Sequence, residues 1–414
     1  MIVATSSASP VDFAGKTISQ ATNVLPDLHL SVMRPCLAAL QNFRQGQETM
    51  EDMTRRRYFL LAGVTVSVSV LLSIIVMEVV LRWSASPSDS GGRLDDGLFG
   101  YDARLGWTVS RDWRGGHVHS DYDVKYTTNG FGHRGVPVAT AKQPGEKRYA
   151  YLGDSFTFGM GVNDDETFTE VLASRGKVRH LNFGVPGYST DQEVLYAEDK
   201  VARFEPDVVV LVVYLGNDLI DNLAPYPLQV DFAKPYFELE NGNLVIRNTP
   251  VPRQPKPAAL RARSFSSVVL QGVKTKQSLL GRSEILRRLG YRDRADDISG
   301  VLADNVEPSI ELFDALLQRL DEGVRSMNAK LVVALLPGRS FVHEPRGYSA
   351  QYQDYIRRLI MARLKKTDIG VLDLGSELRR QFDKGETDLY FPLDGHLTVN
   401  GHRIMADFLG QELP

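Results

Sequence analysis

Tyr149-Ala150-Tyr151-Leu152-Gly153-Asp154-Ser155-Phe156-Thr157-Phe158-Gly159 is the stretch whose reading decides the fold. Its apolar run, 149–152, reads as a buried strand that stops at Gly153, and the acidic, Thr-bearing residues from Asn163 onward begin a helical pattern. Ser155 therefore falls at a strand-to-loop corner. In an open α/β sheet that is where reactive groups are presented, in the crevice beyond the carboxyl ends of the strands.

Working outward, further apolar strands are expected at 177–183, 207–214, 330–336 and 370–374. Helical patterns fall at 165–175, 190–204, 309–327, 350–365 and 399–409. Strands alternating with helices imply an α/β three-layer sandwich around a five-stranded parallel sheet, closed by right-handed crossovers.

Three more blocks follow in order: 182–187 (Asn182-Phe183-Gly184-Val185-Pro186-Gly187), Gly216-Asn217-Asp218 after the apolar 208–213 strand, and Asp394-Gly395-His396 before the last helix. Alone, a Gly-Asp-Ser or an Asp-Gly-His is usually just a turn. Together they supply what acyl transfer needs: a nucleophile, oxyanion donors, and a base with its orienting carboxylate. The G-x-S-x-G elbow of α/β-hydrolases is absent, because Asp154 precedes Ser155 and Phe156-Thr157-Phe158-Gly159 follow it.

In these blocks the chain resembles the SGNH/GDSL hydrolase superfamily, whose invariant letters are Ser, Gly, Asn and His, over a span from about residue 96 to 414. The resemblance implies a flavodoxin-like strand order, 2-1-3-4-5. It implies Ser155 as nucleophile and, through its backbone N–H, as one oxyanion donor. Gly187, in preference to Gly184, and the Asn217 side-chain amide would supply the others. His396 would be the base and Asp394 its partner. The family's last block usually reads D-x-x-H, so Asp394-Gly395-His396 is one residue shorter. His402 is expected on the helix that follows. Asp154 and Asp218 are read as local acceptors for neighbouring backbone N–H groups and are left out of the catalytic set.

The 414 residues carry a formal net charge of −3, which gives no sign of nucleic-acid binding. The eight histidines show no H-E-x-x-H or comparable metal spacing, and no cofactor or metal is required. Residues 58–81 form a largely apolar run of membrane-spanning length. Arg55, Arg56 and Arg57 precede it and Arg82 alone follows, so the positive-inside bias places the N-terminus in the cytoplasm and the later residues outside. A cleaved signal peptide is the rival reading, with Ser84-Ala85-Ser86 as a cleavage site, but the length of the apolar run favours an anchor. Cys36, the only cysteine, lies before the span, so the exported part needs no disulfide, as suits a periplasmic or outer-surface domain.

The organisation expected is a disordered cytoplasmic tail, 1–57; a transmembrane helix, 58–81; a linker, 82–98; and the hydrolase domain, 99–414, with a β-rich preamble at 99–147. His133 and Arg134 in that preamble could line the cleft or sit on the surface of a structural loop. The region 221–307 is an insertion of roughly eighty residues, too long for an ordinary loop. Within it, Arg282, Arg287, Arg288, Arg292 and Arg294 could meet an anionic polymer or membrane surface, Leu279, Leu280, Ile285, Leu286 and Leu289 could form a lid, or the stretch could be a solvated amphipathic helix.

The resemblance points to a membrane-anchored serine esterase acting on O-acyl, chiefly O-acetyl, groups of extracytoplasmic carbohydrate, in the manner of proteins that edit bacterial surface polysaccharides. An O-acyltransferase working with a membrane acyl-donor partner, and a non-catalytic polysaccharide-binding or assembly module, are the alternatives. Met50 or Met53 is the expected natural start, since either leaves a short tail before the arginines. N-terminal sequencing of natively expressed protein checks this, and recovery of peptides from residues 1–49 would overturn it.

Overall fold

In the computed structural model, residues 30–84, 92–176, 178–261, 285 and 298–414 are described, and the chain divides into two units, 1–84 and 85–414. Among its described residues the first unit holds one helix, α1 (Leu30–Ser84). Its segment Asp52–Leu81 is, among the described residues, the one helix long and apolar enough to cross a membrane. Leu60, Leu71, Ile74 and Val79 all point outward. The helix begins well inside the expected disordered tail. Absent hydrophobic periodicity argues against a packed domain, but residues 41–57 are rich in helix-forming Gln, Glu, Met and Arg, and Asp52 pairs with Arg56 one turn on at 3.2 Å.

The second unit opens with five short strands: β1 (Arg93–Leu94), β2 (Phe99–Asp102), β3 (Gly106–Val109), β4 (Arg114–His119) and β5 (Tyr122–Thr127). The first of these lies within the expected linker. β1, β4 and β5 form one antiparallel sheet, and β2 and β3 form a hairpin. Then come β6 (Arg148–Gly153), β7 (Arg179–Gly184), β8 (Val208–Tyr214), the hairpin β9 (Tyr236–Glu240) and β10 (Asn243–Arg247), β11 (Lys330–Leu336) and β12 (Gly370–Asp373).

β6, β7, β8, β11 and β12 build a five-stranded sheet in the order β12-β11-β8-β6-β7, every pair parallel. Numbered in chain order, that is 2-1-3-4-5, the flavodoxin-like arrangement. β8 sits at its centre because Val208 to Val213 are apolar on both faces, as a strand covered on both sides requires. Val209, Leu211 and Val213 face one core, and Val208, Val210 and Val212 face the other.

The helices are α2 (Ser155–Phe158), α3 (Phe168–Arg175), α4 (Thr190–Tyr196), α5 (Asp218–Asp221), α6 (Ala258–Arg261), α7 (Ser299–Ser326), α8 (Arg339–His343), α9 (Tyr348–Leu364), α10 (Leu374–Asp383) and α11 (Val399–Glu412). α4, α7, α9 and the β-rich preamble contribute to one core, while α3, α10 and α11 contribute to the other. This is the three-layer sandwich. α7 starts ten residues before the expected Ser309, passing through Pro308. Leu302, Val306, Ile310, Phe313, Leu317, Leu320 and Val324 give one buried stripe that runs across the proline, and that burial offsets the missing N–H. The basic stretch of the insertion lies outside the described residues, apart from Arg261 and Ile285.

The ends of β6 and β7 decide where the chemistry sits. Gly153 and Gly184 are register partners there. A Cβ on Gly184 would lie 2.2 Å from the Phe158 nitrogen, and one on Gly153 would lie 2.1 Å from Thr157 Oγ1. α2 therefore rests directly on the strand ends, at a distance no side chain permits. Gly184→Ala is expected to cost about 1–3 kcal/mol by overpacking and to lower activity further by lifting α2. Chemical denaturation alongside activity per folded molecule checks this.

Candidate active site

Ser155 opens α2 one residue beyond the β6 corner. Asp154 caps that turn, its Oδ1 accepting the Phe156 N–H at 2.9 Å. The turn is fixed from the far side by Arg134, which is buried and donates to the carbonyls of Phe158, Gly159 and Val162 and to Asp164. Arg134 thus neither lines a cleft nor sits on a surface. His133 is also buried, packed 4.3 Å from the Phe183 ring, and burial pushes its pKa down to about 3.

The last block comes up to Ser155 from the opposite end of the chain. Ser155 Oγ and His396 Nε2 are 2.7 Å apart, and His396 Nδ1 lies 2.5 Å from Asp394 Oδ1. Gly395, at φ +86°, lets this short block close. Asp394 Oδ1 also accepts the His396 backbone N–H at 3.2 Å, so the carboxylate folds onto the imidazole two residues on. With Nδ1–H given to Asp394, the Nε2 lone pair faces the Ser155 hydroxyl. The His396 ring rests on Phe156, which stacks on Tyr214.

Burial alone raises the Asp394 carboxyl, but hydrogen bonds from His396 and from the Tyr122 hydroxyl, 3.0 Å from Oδ2, outweigh it and hold the pKa at about 2. The loop is held from below by Asp121, whose Oδ2 accepts the N–H groups of Leu393 and Asp394 at 2.8 Å each.

Gly187 and Asn217 follow β7 and β8. Those strands flank β6 in the sheet, and hydrogen-bonded neighbours lie about 4.8 Å apart, so both residues stand at the same sheet edge as Ser155. Gly187 has φ +83°, and a Cβ there would strike Val230 at 2.3 Å. Its N–H has no acceptor among the described residues, whereas the Gly184 N–H is taken by Asn182 Oδ1 at 3.0 Å. The Asn217 Nδ2 donates to Asp221 Oδ2 at 2.5 Å. A carboxylate there requires the amide nitrogen, which leaves the second N–H of that nitrogen available.

Of the remaining residues singled out by sequence, Asp218 accepts the Tyr214 N–H at 2.7 Å. His402 sits on α11, buried, accepting the Phe168 N–H at 3.3 Å, and burial pushes its pKa to about 3. Behind the site lies a group of buried acids. Burial holds Glu193 and Asp218 well above the usual carboxylate range. Asp191 of α4 pairs with Lys234 from the insertion, both fully buried.

Tyr122, Asp121 and Asp221 are site residues the sequence reading left out. A trace of the first was present: Tyr122, Val124 and Tyr126 alternate inward along β5, which marks phenols facing a core.

Residues 151–404 match the GDSL-like Lipase/Acylhydrolase family, and the chain belongs to it. It is an enzyme that hydrolyses esters. No curated protein matches the chain. Among solved structures, it is similar to a member of the lipolytic protein G-D-S-L family from Veillonella parvula DSM 2008, at 15% identity and TM-score 0.34, covering 64% of this chain and 98% of that one. It is similar also to the acetylxylan esterase Axe2 from Geobacillus stearothermophilus, at 12% identity and TM-score 0.36, covering 64% and 93%. LAE5, an alpha/beta hydrolase enzyme from the metagenome of Lake Arreo, Spain, matches at 12% identity and TM-score 0.35, with the same coverages.

The Asp394 shift has a consequence for stability. The folded pKa, about 2, lies below the unfolded value of about 3.9. Its contribution is therefore present above pH ~4 and is lost as pH falls through about 2. Asp394→Asn is expected to be less stable than the wild type at pH 7, with the gap closing towards pH 2, as read by chemical denaturation across that range.

Proposed function

We propose that the chain is a serine esterase removing O-acyl, chiefly O-acetyl, groups from carbohydrate outside the cytoplasmic membrane, with Ser155, His396 and Asp394 as its catalytic triad. The observation that carries this reading is the unbroken series Ser155 Oγ to His396 Nε2 at 2.7 Å and His396 Nδ1 to Asp394 Oδ1 at 2.5 Å.

In the reaction, His396 Nε2 takes the Ser155 proton as Oγ attacks the acyl carbon, and Asp394 stabilises the imidazolium and fixes its tautomer. The N–H groups of Ser155 and Gly187 and the free Asn217 amide proton receive the oxyanion. Collapse breaks the ester C–O bond, and the sugar alkoxide leaves with the proton from His396. Water, deprotonated by His396, then cleaves the acyl-serine to give the free acid and restore the Ser155 hydroxyl.

The apolar segment of α1 serves as the anchor in this reading. Arg55, Arg56 and Arg57 hold its N-terminal side in the cytoplasm, so the catalytic unit faces outward. The carbohydrate assignment rests on that outward placement together with the family resemblance.

The test is release of acetate from p-nitrophenyl acetate and from acetylated oligosaccharides by the detergent-solubilised full chain, beside Ser155→Ala, with intact mass spectrometry. Ser155-dependent release supports the esterase. A stable acyl-Ser155 discharged only by sugars makes it an acyltransferase, and the absence of both signals overturns the reading in favour of a binding module. Losing one oxyanion donor costs about 3 kcal/mol of transition-state stabilisation, so Asn217→Ala is expected to lower turnover by roughly two to three orders of magnitude.

A further inference from the structure

The β4–β5 hairpin does more than support the Asp394 loop. Four of its hydrogen bonds join into one chain that ends on the carboxylate. The Gly161 N–H donates to Tyr126 Oη at 2.8 Å, Tyr126 Oη lies 2.8 Å from His117 Nδ1, His117 Nε2 lies 3.5 Å from Tyr122 Oη, and Tyr122 donates to Asp394 Oδ2 at 3.0 Å.

The direction of every proton follows from the two ends. An ionised carboxylate only accepts, so the Tyr122 proton goes to Asp394, and the Tyr122 oxygen is left to accept. Its donor is His117 Nε2–H. His117 is buried, and burial lowers its pKa, which favours the neutral ring with one proton. Nδ1 is then an acceptor and takes the Tyr126 proton, while the Tyr126 oxygen receives Gly161 N–H. The rings are held in place. Tyr122 stacks on His119 at 5.1 Å and packs against Phe391 at 5.0 Å, and His117 meets Tyr122 edge-on at 5.0 Å.

We propose that Tyr122, His117 and Tyr126 are positioning residues of the reaction, a polarised chain that fixes the second oxygen of Asp394 and sets how strongly Asp394 supports the His396 imidazolium. This rests on the triad reading above. Asp394 Oδ1 serves the imidazole and Oδ2 is occupied by Tyr122, so the carboxylate cannot rotate or swing out to solvent. The Tyr122 hydrogen bond also draws charge from the carboxylate, which makes His396 a weaker base in the resting enzyme. The preamble thereby becomes part of the catalytic machinery.

The ionisable groups facing His396 and Asp394 are Asp154 at the β6–α2 corner, His402 on α11, and Asp121, His117, Tyr122 and Tyr126 from the preamble, with His119 stacked behind Tyr122. Removing the Tyr122 hydroxyl deletes a donor to Asp394 and leaves the other charges in place. The carboxylate becomes more basic, and the His396 imidazolium is better stabilised. The acid limb of the pH–rate profile is then expected to move to higher pH.

The experiment uses the detergent-solubilised full chain and two readouts. One is p-nitrophenyl acetate turnover from pH 4 to 9, and the other is the rate of Ser155 labelling by a fluorophosphonate over the same range. Tyr122→Phe is expected to lower kcat roughly tenfold with KM unchanged, and to raise the acid limb by roughly half to one pH unit in both readouts. His117→Phe, which leaves the Tyr122 bond in place, should move both in the same direction by less. The double variant should be no worse than Tyr122→Phe, because the terminal link already disconnects the rest.

An unmoved acid limb in Tyr122→Phe, or additive effects in the double variant, overturns the proposal. Should Tyr122→Phe melt early, His117→Phe and Tyr126→Phe carry the test, and an unmoved limb in both overturns it equally. Labelling or turnover that survives in Ser155→Ala would instead sink the triad reading itself, and so is distinguishable.

Discussion

The backbone of α2 lies against the ends of β6 and β7 at a distance only glycine allows, and the rest of the site is arranged around that contact. Gly153 and Gly184 leave no side chain between strand and turn, so Ser155 stands immediately above the carboxyl edge of the sheet. Because β7 and β8 run parallel to β6 on either side, the loops carrying Gly187 and Asn217 emerge at the same edge. Nothing in this placement needs a long or adaptable loop. It follows from strand order and from two missing Cβ atoms.

Charged groups inside the domain act mainly on backbone. Arg134 gathers the carbonyls that follow α2, and Arg148 gathers those of Thr140, Ala141 and Phe204 at the opposite end of β6. Both guanidiniums are buried, and each satisfies carbonyls that no regular ladder would reach. The first strand of the sheet is thus pinned at its start and just beyond its end. Lys234 from the insertion differs in binding a side chain, the Asp191 carboxylate at the start of α4.

The three inner strands of the central sheet were legible in the sequence because they are covered on both faces and so read as apolar runs, Lys330 to Leu336 without an error at either end. The local halves of the site were legible too, since Gly153-Asp154-Ser155 and Asp394-Gly395-His396 each carry their geometry within a few residues. What was not legible depends on contacts distant in sequence. Tyr122 meets Asp394 across 272 positions, and nothing in the composition of β5 names that partner. Arg134 looked like a loop residue because its acceptors are main-chain carbonyls, which leave no pattern. α7 was cut short at Pro308 because local propensity weighs a proline heavily, whereas a buried stripe on either side outweighs it. The N-terminal half of α1 was missed for the opposite reason: its helix needs no apolar face.

The distances along the chain that separate Ser155 from His396, and Tyr122 from Asp394, bear on when the enzyme comes into being. The Ser155 corner and the β4–β5 hairpin both precede His396 by more than two hundred residues, 241 between Ser155 and His396. Contacts of that separation are the last to repay their loop-closure entropy. A chain whose C-terminal loop has not yet docked therefore lacks the contact between Ser155 and His396. Late closure of this kind ties assembly of the Ser155, His396 and Asp394 series to completion of the whole domain.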